Sequence, residues 1–237
     1  MEDDIIANES RDYDLDQFGL EPLSFPPTSA SVLALVSEII DSVPDSWTVS
    51  KSSPNYSTVV YYKVLNGEPW FLRRSVHDHP FEWFKSALYD DHFGNMVKYY
   101  DVVKSATQTT EQNSWKGFTL KYTLPWPFAQ RDIAAWLFAH MPTDNENEFT
   151  IVVLPADIPL PEDCTTRAVY SFFHRVRKTE DNKVEWIMGQ TSDMRGSLNR
   201  WTQNMSVPGI LVTDIPTFLN WMDDNYGSQE EEIEVGE

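Results

Sequence analysis

The order of the predicted helices and strands limits the fold of this chain more than any other feature. Residues 29–43 carry apolar side chains at helical spacing, and residues 197–222 do so again near the end of the chain. Between these segments lie stretches rich in β-branched and aromatic residues, which predict strands separated by polar turns. Residues 80–100 predict two short helices. The predicted order is a helix, three strands, two short helices, five or six strands and a final helix.

The predicted strands carry the alternation that a sheet with two different faces requires. Phe118, Leu120 and Tyr122 alternate with threonine and lysine, so the three apolar side chains share one face. The same period places Ala135 and Leu137 together farther along the chain.

The final helical pattern contains Pro208 and Pro216, and we expect these prolines to kink or break the helix because proline lacks a backbone N–H. Its apolar residues fall near one side: Leu198, Trp201, Met205, Val212, Ile215, Phe218 and Met222. A strongly curved antiparallel sheet with one long helix across it encloses space rather than filling it. We therefore predict an internal hollow.

The charge of the chain is concentrated at its ends. The formal net charge is -19 at pH 7, and most of it comes from residues 1–21 and 223–237. We predict an acidic disordered tail over residues 1–28, one domain over residues 29–222 and a second acidic disordered tail over residues 223–237. The chain has 18 Lys and Arg against 37 Asp and Glu, without a basic run. It therefore lacks the clustered positive charge that binding to nucleic acid requires.

Cysteine content and hydropathy indicate the compartment. Cys164 is the one cysteine, so no internal disulfide can form, which fits a reducing compartment. No window approaches the roughly 18 apolar residues of a membrane span. The acidic start also lacks the basic and apolar regions of a secretion signal. We expect a soluble, cytoplasmic protein.

Four segments of the chain match a known pattern in order. They are Trp70–His77, Pro125–Asp132, Val184–Asp193, and Val207–Gly209 leading to Phe218–Trp221. Together they resemble the START-like superfamily, the steroidogenic-acute-regulatory-related lipid transfer domains, and within it a fungal family of unknown function. The resemblance covers about residues 30 to 222. The proline-rich turn before Arg131 is shared with START domains generally, and the other segments are more specific to the smaller family.

The resemblance implies an α+β helix-grip fold, in which a curved antiparallel sheet wraps around a long C-terminal helix and leaves a lipid-sized cavity between them. It also implies non-enzymatic binding of one lipid or other hydrophobic small molecule, with no cofactor, and several such domains transfer their ligand between membranes. One position departs from the pattern. Sterol-binding START domains carry a cavity arginine six residues after the arginine of the Arg-Asp pair, and here that position, counted from Arg131, is Leu137. The usual anchor for a sterol hydroxyl is therefore absent.

Strand and helix phase select the side chains predicted to line the cavity, although the same phase fits ordinary core packing. They are Phe118, Leu120, Tyr122, Ala135, Leu137, Trp186, Met188, Trp201, Met205 and Val212. Arg74 lies in the first matching segment and is predicted to meet a lipid head group, since a planar guanidinium fits phosphate. Arg131 is predicted to form a structural ion pair with an acid.

Metal binding and nucleophilic catalysis find little support in the sequence. His77, His79 and His92 do not have the spacing of a known zinc motif, and Pro80 follows at once. Cys164 follows Pro161, Glu162 and Asp163 in a predicted loop, without a positive neighbour to lower its pKa. None of the common catalytic motifs is present. We expect no metal and no catalytic residue.

Two other interpretations stay open. Some helix-grip proteins are cyclases or hydrolases, and that role would use a polar pair in the cavity, such as Tyr122 with Asp193 or His174. Alternatively, the chain acts as an adaptor through its acidic tails.

A lipid carrier must also touch a membrane, at least transiently. The acidic tails would be repelled by anionic lipid. Contact is therefore expected through exposed apolar residues of the Trp126 loop or of the loop over residues 158–161.

Overall fold

The computed structural model describes residue 14 and residues 17–227. The acidic tail predicted over residues 1–28 lies outside the described residues at positions 1–13, 15 and 16, and the tail predicted over residues 223–237 does so from residue 228 onward.

The predicted α+β class and element order are confirmed. The helices are α1 (Ser29–Asp41), α2 (Phe81–Phe84, continued by a wider helical turn over Lys85–Asp90), α3 (His92–Tyr99) and α4 (Arg200–Met222, continued over Asp223–Gly227). The strands are β1 (Thr48–Ser53), β2 (Thr58–Leu65), β3 (Glu68–His77), β4 (Val103–Gln112), β5 (Trp115–Tyr122), β6 (Arg131–His140), β7 (Glu148–Pro155), β8 (Val169–Lys178) and β9 (Val184–Asp193).

The strands form one nine-stranded antiparallel sheet in the order β1-β2-β3-β9-β8-β7-β6-β5-β4. The first three strands and the last six are each joined by consecutive connections. The two groups meet where β3 pairs with β9, with Arg73 opposite Met188 and Arg74 opposite Ile187. Helices α2 and α3 carry the chain from β3 to β4. Strands β3 and β9, which are far apart in the sequence, are thus neighbours inside the sheet.

Each face of the sheet has its own hydrophobic core. On β6, Ile133 and Leu137 belong to a cluster that contains residues of α2, α3 and α4, whereas Ala134 and Trp136 belong to a cluster that contains residues of α1. Alternate residues of a strand point to opposite faces. We therefore call the two sides the α4 face and the α1 face.

Part of the N-terminal segment packs on the α1 face. Phe18 is fully buried, and its ring stacks on Trp70 with 4.8 Å between ring centroids. Leu23 forms a parallel bridge with Ala156 at the end of β7. The described residues from 17 to 28 therefore lie along the fold, although their acidic composition suggested a solvated tail. Phe18 and Leu23 supply the apolar contacts that the charge pattern obscured.

Helix α4 differs from its predicted form in two ways. It runs without interruption through Pro208 and Pro216. Its buried stripe in the first half consists of Gln203, Val207 and Leu211, which is a different side of the helix from the predicted one. Burial of this stripe against the sheet compensates for the backbone hydrogen bonds that the prolines cannot donate.

Candidate functional site

Most of the predicted lining residues lie together on the α4 face. Leu120, Tyr122, Ala135, Leu137 and Trp186 are buried in the cluster that contains residues of α2, α3 and α4. Phe118 is half-buried against the same cluster, Met188 is half-buried beneath α4, and Val212 is a half-buried residue of α4 itself. The alternation along β5, β6 and β9 places the seven strand residues there. These seven residues form the floor of the candidate site, and Val212 lies above them.

Three predicted lining residues lie elsewhere. The side chains of Trp201 and Met205 are exposed on the solvent side of α4, because Val207 and Leu211 occupy the side that faces the sheet. Arg74 points to the α1 face, where its guanidinium pairs with the buried Glu185. None of the three lies between α4 and the sheet.

The space beneath the second half of α4 is occupied by aromatic side chains. The ring of Phe218 lies 4.9 Å from that of Trp186 and 5.8 Å from that of Phe84, between ring centroids. Tyr99 contacts Phe218 from α3, with 5.1 Å between ring centroids. The predicted hollow is therefore packed at this end, and its presence elsewhere stays a prediction.

A half-open pocket of about 310 Å³ lies where α3 meets β5 and β6. We call it the α3 pocket, and its lining consists of Tyr89, Asp90, Asp91, His92, Phe93, Ser114, Lys116, Phe118, Leu137 and Ala139. Phe118 and Leu137 belong to the α4 face, so the pocket opens onto that face from the side. Its volume is at the lower end of the range of about 300 to 1,000 Å³ that small-molecule sites occupy. Leu137 makes its part of this wall apolar.

A second half-open pocket, of about 260 Å³, lies on the α1 face beside the end of α1. Three arginines line it together with Glu185. Arg74 and Arg177 both pair with Glu185, and Arg175 pairs with Glu148 at 3.0 Å. The arginines are thus engaged by acids, and we interpret the arrangement as an ion-pair network that stabilises the sheet.

Arg73 is the charged residue of β3 that faces α4. Its side chain is buried, its Nη1 donates a 3.2 Å hydrogen bond to the carbonyl oxygen of Leu211, and its guanidinium carbon lies 3.9 Å from the ring centroid of Trp186. Nε and Nη2 have no hydrogen-bond partner among the described residues. Burial lowers the pKa of Arg73 to about 10, against the opposing effect of Asp214. Arg73 is therefore a cation at neutral pH with two unused donors.

Asp214 approaches the same region from α4. Its carboxylate accepts a 3.0 Å hydrogen bond from the hydroxyl of Tyr100. Burial raises the pKa of Asp214 to about 6, while Tyr100 and Arg73 act in the opposite direction. The candidate site thus holds one buried cation and one acid that gains a proton readily.

Three histidines surround these groups as neutral rings. Burial, followed by the charge of Arg73, lowers the pKa of His77 to about 3, and burial lowers that of His92 to about 4. His174 lies with its ring centroid 5.3 Å from that of His92, and burial lowers its pKa well below the usual value. At neutral pH these rings supply polarity without charge.

Arg131 ties together two loops at one end of the α4 face. Its guanidinium donates to the carbonyl oxygens of Ala129 and Gln130 in the β5–β6 loop, and to those of Met194 and Arg195 in the β9–α4 loop. The structural role predicted for Arg131 agrees with this geometry. Its partners are backbone carbonyl groups rather than the expected acid, because both loops present these groups inward.

The two loops that Arg131 joins carry exposed apolar side chains. Trp126 in the β5–β6 loop is 93% exposed, and Trp201, just after the β9–α4 loop, is 70% exposed. Met205 follows one helical turn after Trp201 and is also exposed. By contrast, Ile158 and Leu160 pack against the cluster on the α1 face. Of the two loops expected to contact a membrane, the Trp126 loop is therefore the exposed one.

The pairs considered for catalysis are not assembled as acid and base. Tyr122 is on the α4 face, whereas Asp193 accepts a 2.8 Å hydrogen bond from the backbone of Arg195 and holds a turn. His174 accepts a hydrogen bond from Trp186. Among the described residues, no cluster of three or more His, Cys, Asp or Glu side chains could hold a metal ion. Within the same residues, no helix has the length and apolar character to cross a bilayer.

Sequence reasoning missed Arg73 and Asp214. Strand alternation places Arg73 and Arg74 on opposite faces of the sheet. Met188 pairs with Arg73, and Trp186 lies two residues before Met188, so Trp186 and Arg73 share a face. Asp214 stands seven residues after Val207 and three after Leu211, at the spacing of the buried stripe. The signal was present, but a charged residue within an apolar stripe is easily assigned to solvent.

Comparison with solved structures identifies the fold. Human STARD10 is 16% identical to the chain with a TM-score of 0.72, over 91% of this chain and 86% of that protein. Human StAR-related lipid transfer protein 5 is 10% identical with a TM-score of 0.65, over 85% and 96%. A fragment of the STAR-related lipid transfer protein from Xanthomonas axonopodis is 15% identical with a TM-score of 0.61, over 75% and 99%. The chain therefore shares the helix-grip fold of these structures, as expected.

The sequence alone matches fewer proteins. No curated protein matches it significantly. Residues 70–222, however, match the family described as "Protein of unknown function (DUF3074)". Because this match spans more than half of the chain, the protein belongs to the DUF3074 family.

Proposed function

We propose that the protein binds one lipid or other hydrophobic small molecule on the α4 face, without catalysing a reaction on it. The α3 pocket carries this proposal, because it opens onto the α4 face between Phe118 and Leu137. The fold supports it as well, since the similar solved structures include domains described as lipid transfer proteins. A ligand chain gains about 0.8 kcal/mol for each methylene group that it buries. Several methylene groups in the pocket would therefore offset the cost of moving side chains farther inside.

The first test is a measurement of bound ligand. Native mass spectrometry of gently purified protein should show an adduct with the mass of a lipid, and the delipidated protein should take up a fluorescent fatty acid, phospholipid or sterol. A protein that is free of adduct and takes up none of these probes would contradict the proposal.

The second test blocks the α3 pocket. Leu137→Arg places a long, charged side chain on the apolar wall and should weaken uptake of the best probe at least about tenfold, which corresponds to roughly 1.4 kcal/mol. Val64→Arg is the matched control, because Val64 is an exposed residue of β2, at the other end of the sheet. Equal uptake by both variants and the unchanged protein would mean that the ligand does not pass this wall.

We further propose that the ligand is exchanged with membranes at the end of the molecule that carries Trp126, Trp201 and Met205. Aromatic side chains favour the interface of a bilayer, and Arg131 holds both loops in one place. Trp126→Ala and Met205→Ala should each weaken binding to zwitterionic phosphatidylcholine vesicles several-fold in a sedimentation assay. Phe25→Ala, which removes an exposed ring elsewhere, should leave binding unchanged. Equal effects of all three substitutions would contradict a specific docking end.

The proposed place of action is the cytoplasm. Its support is the single free thiol, Cys164, which is half-buried and fits a reducing compartment. Expression of a tagged full-length chain in its native host, followed by fractionation, would test this location. Recovery of the protein in a secreted or lumenal fraction would contradict it.

A further inference from the structure

Arg73 on the α4 face has one edge of its guanidinium without a hydrogen-bond partner among the described residues. The guanidinium of Arg73, which extends from β3, has two defined contacts. Trp186 covers one planar side, and the carbonyl oxygen of Leu211 accepts a hydrogen bond from Nη1, which leaves one edge of the guanidinium open. That edge carries Nε and Nη2, whose N–H groups point the same way and are both without a partner among the described residues. Two parallel N–H groups on one edge of a guanidinium are the geometry that binds a carboxylate or phosphate in bidentate fashion.

Burial makes this open edge costly. Arg73 is 1% exposed, and a buried charge is tolerated when its hydrogen-bonding groups are used. Trp186 contributes a cation–π contact, but that contact does not satisfy the N–H groups. An acceptor from outside the described residues would remove this cost.

Asp214 does not fill this role. Its carboxylate is engaged by Tyr100, and its influence on Arg73 acts through space. Its tendency to take up a proton also lets it give up its negative charge when another anion arrives. The remaining groups near Arg73 are Tyr99, His77 and His174, which are neutral at pH 7. The surroundings therefore do not repel an anion strongly.

Consecutive side-chain contacts connect the α3 pocket with Arg73. His92 lines the α3 pocket, its ring lies 5.3 Å from that of His174, and the ring of His174 lies 5.7 Å from that of Trp186, all between centroids. Trp186 in turn covers Arg73. These rings are buried and packed, so a head group that enters from the α3 pocket must displace them to reach the guanidinium.

We propose that the ligand of the α4 face is a single-chain amphiphile with an anionic head group, a carboxylate or a phosphate monoester, whose oxygen atoms bind Nε and Nη2 of Arg73. This inference rests on the proposed function. It also assigns the head group to Arg73 instead of Arg74, the residue that the sequence predicted. The amphiphile lies with its head inside and its chain toward the α3 pocket.

The test compares three ligands with the same eighteen-carbon chain: oleate, oleyl phosphate and oleyl alcohol. Each is titrated into the delipidated full-length protein below its aggregation concentration, with displacement of a neutral fluorescent probe as the readout. We expect at least one of the two anions to bind about tenfold or more tightly than the alcohol, and the tighter anion identifies the head group. Equal affinities for all three ligands would overturn this inference while leaving the proposed function intact. No displacement of the probe by any of the three ligands would overturn this inference, whereas the proposed function fails only if the neutral probe itself does not bind.

Substitution of the two neighbouring arginines provides the matched control. Arg73→Gln should abolish the preference for the anion while binding of the alcohol persists, and Arg73→Lys should lose most of the preference because a single ammonium cannot form the bidentate pair. Arg74→Gln, one residue away on the α1 face, should keep it. Loss of the preference in Arg74→Gln but not in Arg73→Gln would contradict the assignment.

A measurement on the unchanged protein covers the case in which the Arg73 variants fail to fold. Oleate labelled with ¹³C at the carboxyl carbon reports its own protonation by NMR. Paired with Arg73, the bound carboxylate should remain ionised as the pH is lowered from 7.5 to 5.5, because a nearby cation lowers the pKa of a carboxyl group. Protonation of the bound ligand within this range would indicate an unpaired head group and overturn the inference.

Discussion

The indole Nε1 of Trp186 donates a 3.0 Å hydrogen bond to Nδ1 of His174, across the pairing of β8 with β9. Because Nδ1 accepts, the ring of His174 is neutral and carries its proton on Nε2. Burial, then His92 and Arg73, lowers the pKa of His174. The folded protein therefore keeps the buried histidines of the α4 face neutral.

Because the buried histidines are neutral in the folded protein, we predict that acid destabilises the fold. His77, His92 and His174 all have a lowered pKa when folded, so below pH 6.5 the unfolded chain binds protons that the folded chain does not. Asp214, with its pKa raised to about 6, acts in the opposite direction at lower pH. Each histidine costs about 1.4 kcal/mol per pH unit. We expect a net loss of roughly 3 kcal/mol in the free energy of unfolding between pH 6 and pH 5.

Urea denaturation at pH 7, 6 and 5 measures this loss. His92→Phe should reduce the slope, since it removes one of the three proton sites. A free energy of unfolding that does not change between pH 6.5 and pH 5 would show that the histidines are not held neutral.

Two glycines should respond in opposite ways to alanine. A Cβ atom at Gly189 would lie 2.3 Å from the ring of Phe173, inside the core of the α1 face. We expect Gly189→Ala to lower the free energy of unfolding by about 1 to 3 kcal/mol. At Gly209, within α4, the nearest atom to a new Cβ is Nζ of Lys51, at 3.6 Å. There alanine should raise stability by about 1 kcal/mol, because it favours the helix.

Thermal and urea unfolding of the two glycine variants checks this difference. The pair controls for the substitution itself, since both variants add one methyl group. Destabilisation of similar size at both positions would contradict the packing around Phe173.

Substitution of Arg131 by lysine should weaken the connection between the β5–β6 and β9–α4 loops. The single ammonium nitrogen of lysine replaces three separate guanidinium nitrogens, so it cannot keep every hydrogen bond that Arg131 donates to the two loops. We expect Arg131→Lys to cost roughly 1 to 3 kcal/mol, because carbonyl oxygens of the loops lose a charged donor. Arg195→Lys, on an exposed side chain of the same loop, should cost less than about 0.5 kcal/mol.

Limited proteolysis adds a local readout for Arg131. Cleavage near Trp126 should become faster in Arg131→Lys and stay slow in Arg195→Lys. Similar cleavage rates in both variants would indicate that the loops are held by other contacts.

Phe218 should be the main anchor of α4. Its ring fills the space among Phe84, Tyr99 and Trp186, so Phe218→Ala is expected to cost about 3 to 5 kcal/mol. Ile210→Ala, on the exposed side of the same helix, should change the free energy of unfolding by less than about 1 kcal/mol. Denaturant titration of both variants tests this, and equal costs would mean that α4 is not held through Phe218.

The element order and the alternation in β5 and β6 could be predicted because they depend on local geometry. Residues two apart in a strand share a face whatever the rest of the chain does. That rule places Leu120 with Tyr122 and Ala135 with Leu137, as the structure shows. The buried Phe18 was not predicted, because its acidic neighbours suggested solvent and its partner Trp70 is distant in sequence.

The sequence by itself determined that Arg73 and Arg74 point to opposite faces, and that the last part of the domain is an apolar helix. Only the tertiary structure decided which arginine meets α4 and which stripe is buried. Pairing of β3 with β9 places Arg73 beside Met188 and under the helix, and packing selects Val207 and Leu211 over Trp201 and Met205. The physical reason is that periodicity is set by neighbouring residues, whereas the choice of face depends on contacts between residues far apart in the chain.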